Sequence, residues 1–262
     1  MTAGDASAED AAARAESCRV ALVTGAAGGL MRGVALALAR DGLRIAFTYR
    51  PRGTPPDATL AALSPYDPGA LALPADFAQP GTGTALVREV ERRRGPVDIL
   101  VHGVGPIVVK RFLRSTRTDL DALLEANLGS AADLAWAVLP AMRARRFGRL
   151  VFFGMNGSSW TQPARGMSLY AAAKAAVVTF ARTLALEEAA HGVSVNVIEP
   201  GDIRDKCATR EAARRIRANN PTGHAGSWED LAAAVRFATA EHHGFLNGMV
   251  LSVNGGRTEP HE

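Results

Sequence analysis

The stretch VALVTGAAGGLMRGVALALAR, residues 20–40, decides the fold of this chain. It opens on a contiguous apolar run, which is typical of a parallel strand buried on both faces. Gly25, Gly28 and Gly29 then lie in a turn of small residues, and an Ala- and Leu-rich stretch of helical period follows. Such a turn suits a pyrophosphate, because glycine lets backbone N–H groups and the helix N-terminus approach the negative charge closely. The alternative is a tight strand-to-helix turn that binds nothing.

The same alternation of short apolar runs and longer helical stretches continues along the chain. The runs predict seven strands, at Val20–Val23, Arg44–Thr48, Ala70–Leu73, Ile99–His102, Arg149–Phe153, Val193–Ile198 and Val250–Val253. Helices are predicted between them, at Arg32–Arg40, Gly83–Arg94, Asp119–Arg146, Met167–His191 and Trp228–Thr239. This order predicts an α/β fold, a single Rossmann-type doubly wound parallel sheet with helices on both faces.

The domain organisation follows from where large apolar residues begin. Residues 1–17 offer nothing large to bury, which predicts a disordered N-terminal extension. Residues 18–262 are predicted to form one NAD(P)-binding catalytic domain. Five prolines surround a weak helical pattern within residues 51–69.

Composition and charge exclude several classes of protein. The net charge is +4, but the arginines are spread over many segments with no nucleic-acid-reading motif, so no nucleic-acid partner is expected. The positive charge suits a phosphate-bearing cofactor or an anionic substrate carrier better. No uncharged apolar run reaches about 18 residues and the N-terminus is acidic, which predicts a cytoplasmic protein with no membrane partner. Cys18 and Cys207 are far apart, so neither a disulfide nor a metal site is expected.

The end of the second predicted strand indicates which nicotinamide cofactor is used. It reads Thr48-Tyr49-Arg50-Pro51-Arg52 and lacks the carboxylate that would accept hydrogen bonds from the ribose of NAD. A guanidinium at Arg50 can pair with the additional 2′-phosphate of NADP. NADP(H) is therefore the expected cofactor, and an ordinary exposed arginine is the alternative.

Tyr170 and Lys174 lie four residues apart and therefore share one face of a predicted Ala-rich helix. A free tyrosine has a pKa of about 10, and a nearby cation favours the phenolate and brings the pKa closer to neutrality. Such a phenol can exchange a proton with a reacting oxygen. The spacing alone is a common accident, but its place before a sixth strand ending in Pro200-Gly201 favours a catalytic pair.

These features resemble the short-chain dehydrogenases/reductases, from about Arg19 to Gly256. Residues 24–31 match the family's Thr-Gly-x-x-x-Gly-x-Gly turn except at its last glycine, and the Tyr-x-x-x-Lys pair is present. The resemblance implies that Tyr170 protonates a carbonyl oxygen while hydride arrives from the nicotinamide. It also implies that Lys174 holds the ribose hydroxyls.

The resemblance also assigns further site residues. The backbone carbonyl of Asn127 is expected to help hold a water near the lysine, which makes Asn127 a catalytic residue. Asp76 is similar to the family's aspartate at the adenine amino group, with a helix cap as the alternative. The expected cofactor contacts are Gly25, Gly28, Gly29, Leu30, Arg50, Asp76, Phe77, Gly103, Tyr170, Lys174, Pro200, Gly201 and Ile203.

Three positions depart from the family pattern. Met31 replaces the last glycine of the turn, which predicts a slightly displaced helix or a widened pocket floor. His102-Gly103-Val104-Gly105 stands where relatives read Asn-Asn-Ala-Gly, and His102 is expected to be structural, bonding neighbouring backbone. Asp205 replaces a threonine that contacts the cofactor in relatives.

The family's catalytic serine has no direct counterpart. Counting forward from Gly148 gives Met155, and counting back thirteen residues from Tyr170 gives Gly157. The loop contains two additional residues, so Ser158 or Ser159 is a candidate, and Ser158 is predicted to orient the substrate. The alternative is that both serines only form the turn.

The resemblance implies an NADPH-dependent reductase of a ketone or aldehyde, similar to 3-oxoacyl-(acyl-carrier-protein) reductases. Its partners would be a small-molecule or carrier-bound carbonyl substrate and copies of itself, in a homo-oligomer that is a tetramer or a dimer. A basic segment from Arg204 to Arg217 is either a solvated helix or an attractor for an acidic carrier. Reduction of an imine or conjugated bond, and a catalytically weak NADP-binding sensor or partner subunit, remain as alternatives.

Overall fold

A computed structural model describes residues 19–257, and the predicted N-terminal extension lies outside this range. One sheet of seven parallel strands has the order β3-β2-β1-β4-β5-β6-β7. The strands are β1 Val20–Thr24, β2 Arg44–Tyr49, β3 Leu71–Pro74, β4 Val97–His102, β5 Gly148–Phe153, β6 Val193–Pro200 and β7 Val250–Val253. The predicted sheet is confirmed, with strand ends shifted by one or two residues. Its central strands are buried on both faces, whereas β7 at the edge is only half-buried.

Helices cover both faces of the sheet, as a doubly wound fold requires. The helices are α1 Gly29–Arg40, α2 Asp57–Leu63, α3 Thr82–Arg94, α4 Arg117–Leu124, α5 Ser130–Arg145, α6 Ser168–Glu188, α7 Arg210–Ala213 and α8 Trp228–Thr239. The apolar faces of α3, α5 and α6 bury one side of the sheet. Those of α1, α2 and α8 bury the other side, where α1 and α8 are so close that Trp228 fills the space beside Gly33.

One sequence prediction on helices was wrong. The continuous helix predicted over Asp119–Arg146 is interrupted by a π-helical turn at Glu125–Gly129. Side chains explain the interruption, because the Asn127 amide donates to Leu123 O and the Ser130 hydroxyl donates to Ala126 O, both four residues back. The segment 51–69, where prolines surround a weak helical pattern, contains α2.

The basic segment after β6 is helical only over the four residues of α7. Ion pairs with neighbouring carboxylates neutralise several of its arginines, namely Arg204 with Asp202, Arg210 with Asp230 and Arg215 with Glu211. Most of this segment is therefore an ordinary charged surface.

Helix α6 and the short turn after it, Ser168–His191, have the length and apolar composition of a membrane-crossing helix. The inner side of α6 packs on the sheet through Val177, Val178 and Ala181. Packing in the core accounts for this composition.

The topology fixes the position of the site. The chain winds outward in both directions from β1 and β4, which are neighbours although β2 and β3 lie between them in sequence. Parallel sheets bind ligands at such a switch point, beyond the carboxyl ends of the strands. Gly25 after β1 and Gly103 after β4 both line a cleft of about 810 Å³ there.

Candidate active site

Threonines from neighbouring elements fix the backbone of the glycine-rich turn after β1. Gly25 N–H donates to the Thr48 hydroxyl over 2.9 Å, and the Thr59 hydroxyl donates to the carbonyls of Ala26 and Ala27. Gly28 precedes α1 without any side-chain cap, so the first N–H groups of this helix remain available to a ligand. This geometry fits a pyrophosphate.

A second cleft of about 470 Å³ continues from this turn along the ends of β2 and β3. Arg50, Asp76 and Phe77 line it, as expected for the adenosine end of a dinucleotide site. Asp76 does not cap the following helix, because α3 begins after Gly81 without a side-chain cap. Arg50 is exposed and forms no ion pair within residues 19–257. The 2′-phosphate of NADP fits this unpaired guanidinium.

Met31 is accommodated by the absence of a side chain at Gly103. A Cβ on Gly103 would lie 2.1 Å from the Met31 sulfur, so the thioether fills the space that the second Asn of relatives would need. The two departures from the family pattern are therefore complementary. Met31 thus forms part of the lining of the cleft, and α1 begins at Gly29.

His102 is buried and links the two strands at the switch point. Its Nδ1 lies 2.9 Å from the Thr24 hydroxyl and its Nε2 lies 2.9 Å from the Ser130 hydroxyl. Burial, and secondarily the charge of Lys174, lowers the pKa of His102 to about 3, so the ring is neutral. The expected structural role agrees with this geometry, although its partners are side chains rather than backbone.

The side chains of Tyr170 and Lys174 lie together at the inner end of the cleft. Lys174 Nζ donates to Phe153 O over 2.8 Å and lies 5.9 Å from the centre of the Tyr170 ring. Burial raises the pKa of Tyr170 to about 12 and lowers that of Lys174 to about 8. The expectation that the lysine brings the phenol's pKa toward neutrality was wrong, because desolvation outweighs it. A phenol that keeps its proton at neutral pH is prepared to act as an acid.

Asn127 lies in the π-helical turn and faces the lysine across Gly105. The position of a Cβ on Gly105 would be 2.3 Å from Asn127 Oδ1 and 3.0 Å from Lys174 Nζ. This Oδ1 is buried and has no hydrogen-bond partner within residues 19–257. π-helical turns occur often at functional sites, and this one brings an acceptor close to the ammonium.

The structure does not place Ser158 or Ser159 in the cleft. Glu199, fully buried at the end of β6, accepts hydrogen bonds from the Ser158 hydroxyl at 2.7 Å and from Ser159 N–H at 2.7 Å. Gly157 N–H and the Ser159 hydroxyl bind the same carboxylate. The prediction that Ser158 orients the substrate therefore fails on geometry. Met155 and Asn156 of the same loop line the cleft, and neither has a hydroxyl.

The turn after β6 completes the cleft. Pro200, Gly201 and Ile203 line it as expected, whereas Asp205 accepts from Cys207 N–H in a local turn. Met155 lines the cleft, and sequence reasoning missed several further lining residues, namely Ile107, Asn156, Gln162, Arg165 and Arg257. It also missed Glu199, although an acidic residue inside an otherwise apolar strand was a visible signal. No group of three or more His, Cys, Asp or Glu within 19–257 is placed to hold a metal ion.

Comparison with known proteins shows which family this chain belongs to. A family model described as enoyl-(acyl carrier protein) reductase matches residues 25–258. Nodulation protein G of Azospirillum brasilense is 33% identical over 92% of this chain and 98% of its own length. The 3-oxoacyl-[acyl-carrier-protein] reductase of Haemophilus influenzae is 31% identical over 91% of this chain and 97% of its own. The chain belongs to the short-chain dehydrogenase/reductase family.

The solved structures agree with this assignment. A 3-oxoacyl (acyl-carrier-protein) reductase from Agrobacterium tumefaciens with NADP bound has a TM-score of 0.82 at 30% identity, over 91% of this chain and 94% of that one. We call the part of the cleft at the glycine turn the cofactor end and the part around Tyr170 the substrate end.

The new position of Ser158 has a testable consequence. Ser158→Ala should leave nicotinamide-dependent turnover within about twofold of the unmodified protein, yet lower the free energy of unfolding by about 1–3 kcal/mol, because buried Glu199 loses a donor. Ser64→Ala is the control, since that exposed hydroxyl bonds only the neighbouring Ala61 carbonyl. Urea unfolding and steady-state rates measure both effects. A fall in turnover of about tenfold at unchanged stability would show that the Ser158 hydroxyl takes part in the reaction.

Proposed function

We propose that this short-chain dehydrogenase/reductase reduces a ketone or aldehyde of the 3-oxoacyl type, with NADPH as the source of hydride. The observation that carries the proposal is the pairing of a protonated phenol, Tyr170, with the buried ammonium of Lys174. Among residues 19–257, none forms a hydrogen bond with the Tyr170 hydroxyl, which leaves it available to a substrate oxygen.

Tyr170, Lys174 and Asn127 have distinct roles in the reaction. Bound NADPH supplies hydride to the carbonyl carbon. Tyr170 gives its proton to the carbonyl oxygen, so that the alcohol leaves neutral. The ammonium of Lys174 lowers the cost of the phenolate that remains, and the nearby Oδ1 of Asn127 can accept a hydrogen bond from a water or from that ammonium.

Apolar residues at the mouth of the cleft support an acyl substrate. Ile107 lines the cleft with an exposed fraction of 59%. Val109, Phe112 and Leu113, also strongly exposed, lie in the same loop. Arg165 lines the cleft and forms no ion pair within the described residues. An apolar rim beside an unpaired cation suits an acyl chain presented by an acidic carrier.

A second candidate is reduction of a conjugated or imine bond. Met155 presents a thioether where a carbonyl-polarising hydroxyl is expected, which favours a substrate that needs less carbonyl polarisation, such as an imine. The description of the matching family model, an enoyl-(acyl carrier protein) reductase, is consistent with this candidate. A panel of a 3-oxoacyl thioester, a 2-enoyl thioester and a cyclic imine separates the two.

Exposed apolar side chains on the outer helices support self-association. Trp136 on α5 and Leu186 on α6 have exposed fractions of 74% and 82%. Surfaces of this kind are commonly covered by another chain. A homo-oligomer, tetramer or dimer, is therefore part of the proposal.

NADPH should bind more tightly than NADH because of Arg50. Replacing it by alanine should remove most of this preference, since a charge-assisted bond to phosphate contributes about 1.5–3 kcal/mol. Arg52→Ala is the matched control, because Arg52 lies two residues away but does not line the adenosine cleft. Dissociation constants from NAD(P)H fluorescence measure the ratio. Equal affinities of the unmodified protein for both cofactors would contradict the proposal.

Tyr170→Phe should abolish reduction while leaving NADPH binding largely intact, because the hydroxyl delivers a proton but contributes little to holding the dinucleotide. In the unmodified protein, reduction should decline above the pKa of Lys174, about 8, while Tyr170 with a pKa of about 12 stays protonated. Lysine is charged below its pKa, so activity is retained at lower pH. Steady-state rates across pH 6–10, with the exposed Tyr66→Phe as control, test both statements. A Phe variant with a near-normal rate would mean that another group supplies the proton.

A further inference from the structure

Gln162 places a carboxamide in the space where the family's serine would be sought. Counting back from Tyr170 assigns that serine to Gly157, whose φ of +81° suits glycine. A Cβ at Gly157 would lie 2.3 Å from Gln162 Oε1 and 2.5 Å from Gln162 Cβ. Gln162 N–H also donates to Gly157 O over 2.8 Å. The glutamine therefore occupies the side-chain space beside position 157.

The direction of this carboxamide is set by a chain of amides that starts at Asn254. Gly256 N–H donates to Asn254 Oδ1 over 3.1 Å, and Asn254 Nδ2 donates to Arg257 O over 2.7 Å. A backbone N–H can only donate and a carbonyl can only accept, so these two bonds fix which end of Asn254 is nitrogen. Asn254 Nδ2 also donates to Asn156 Oδ1 over 2.8 Å, which fixes Asn156 in turn.

The last hydrogen bond of this chain of amides leaves the Gln162 side-chain nitrogen without a partner among the described residues. Asn156 Nδ2 donates to Gln162 Oε1 over 3.4 Å, so the nitrogen of the Gln162 carboxamide is its free end. Within residues 19–257 this Nε2 has no hydrogen-bond acceptor. Gln162 lines the same cleft as Tyr170 and Met155. An oriented N–H group thus remains available in the part of the cleft that lacks a serine hydroxyl.

We propose that Gln162 Nε2 donates a hydrogen bond to the carbonyl oxygen of the substrate, in the role that the serine hydroxyl has in relatives. This inference rests on the proposed carbonyl reduction. The donor transfers no atom: hydride goes to carbon, the Tyr170 proton goes to oxygen, and the carboxamide stabilises the charge that develops on that oxygen. The Tyr170 hydroxyl and the carboxamide, which the Asn254–Asn156 chain orients, would then be two neutral donors that polarise the carbonyl.

The two serines are already engaged by Glu199, which is why the carboxamide is the better candidate. Asn156 is a positioning residue in this arrangement, since both ends of its amide are committed. Arg165 also lines the cleft, but nothing described fixes the direction of its guanidinium.

The test compares Gln162→Met, which keeps the length of the side chain without a donor, with Gln162→Glu, which places a carboxylate against the developing oxyanion. Gln79→Met is the matched control, because Gln79 is exposed and does not line the cleft around Tyr170. The readouts are kcat with a 3-oxoacyl thioester, kcat with a trifluoromethyl ketone, NADPH affinity by fluorescence and thermal stability. The unmodified protein and Tyr170→Phe are measured alongside.

Both variants should lower kcat with the thioester by about a hundredfold, the effect of losing one oxyanion donor. The loss should be smaller with the trifluoromethyl ketone, whose carbonyl is already activated, and NADPH affinity should be unchanged. A general loss of structure would instead lower stability, affinity and both rates together, and would overturn the assignment. A Gln162→Met variant with normal kcat, measured beside an inactive Tyr170→Phe variant, would also overturn the assignment of Gln162. That result would not contradict the proposed carbonyl reduction. An unmodified protein that reduces no carbonyl would overturn both.

Discussion

The buried carboxylate of Glu199 organises the substrate end of this protein. It stands at the end of β6, where the core excludes water, and a charge in that position requires compensating hydrogen bonds. The loop after β5 supplies four of them from residues 157–159. Satisfying Glu199 therefore fixes the loop, turns both serines inward and leaves Met155 in the cleft. The loop therefore contributes a wall to the cleft and no serine hydroxyl.

Other departures from the family pattern are also compensated by a neighbour. The thioether of Met31 fills the space that Gly103 leaves empty. The neutral ring of His102 connects Thr24 of β1 with Ser130 of α5, so the switch point keeps a bridge between its two halves. These pairs explain how the cofactor end can retain its shape without the family's last glycine and its two asparagines. The residues that depart from the family pattern thus compensate one another at the cofactor end. The missing serine, in contrast, lies at the substrate end.

The sequence predicted what depends on local pattern. Contiguous apolar runs identified all seven strands, and the glycine turn with the Tyr170 and Lys174 pair located both ends of the cleft. What depends on tertiary contacts was missed. The π-helical turn at Asn127 arises from side chains that bond to backbone carbonyls, which periodicity does not report. Ser158 was misassigned because its partner, Glu199, is forty-one residues away along the chain. The raised pKa of Tyr170 reflects burial, which spacing alone does not reveal.

The central claim is that this cleft delivers hydride to a carbonyl carbon and a proton to its oxygen. NADPH carrying deuterium at the transferable position of its nicotinamide tests it most directly, with a 3-oxoacyl thioester and a 2-enoyl thioester offered together. Mass spectrometry of the products then identifies the acceptor. We expect a 3-hydroxyacyl thioester with one deuterium at C3 and an unchanged enoyl thioester. Deuterium in a saturated acyl thioester, with the 3-oxoacyl substrate untouched, would contradict it.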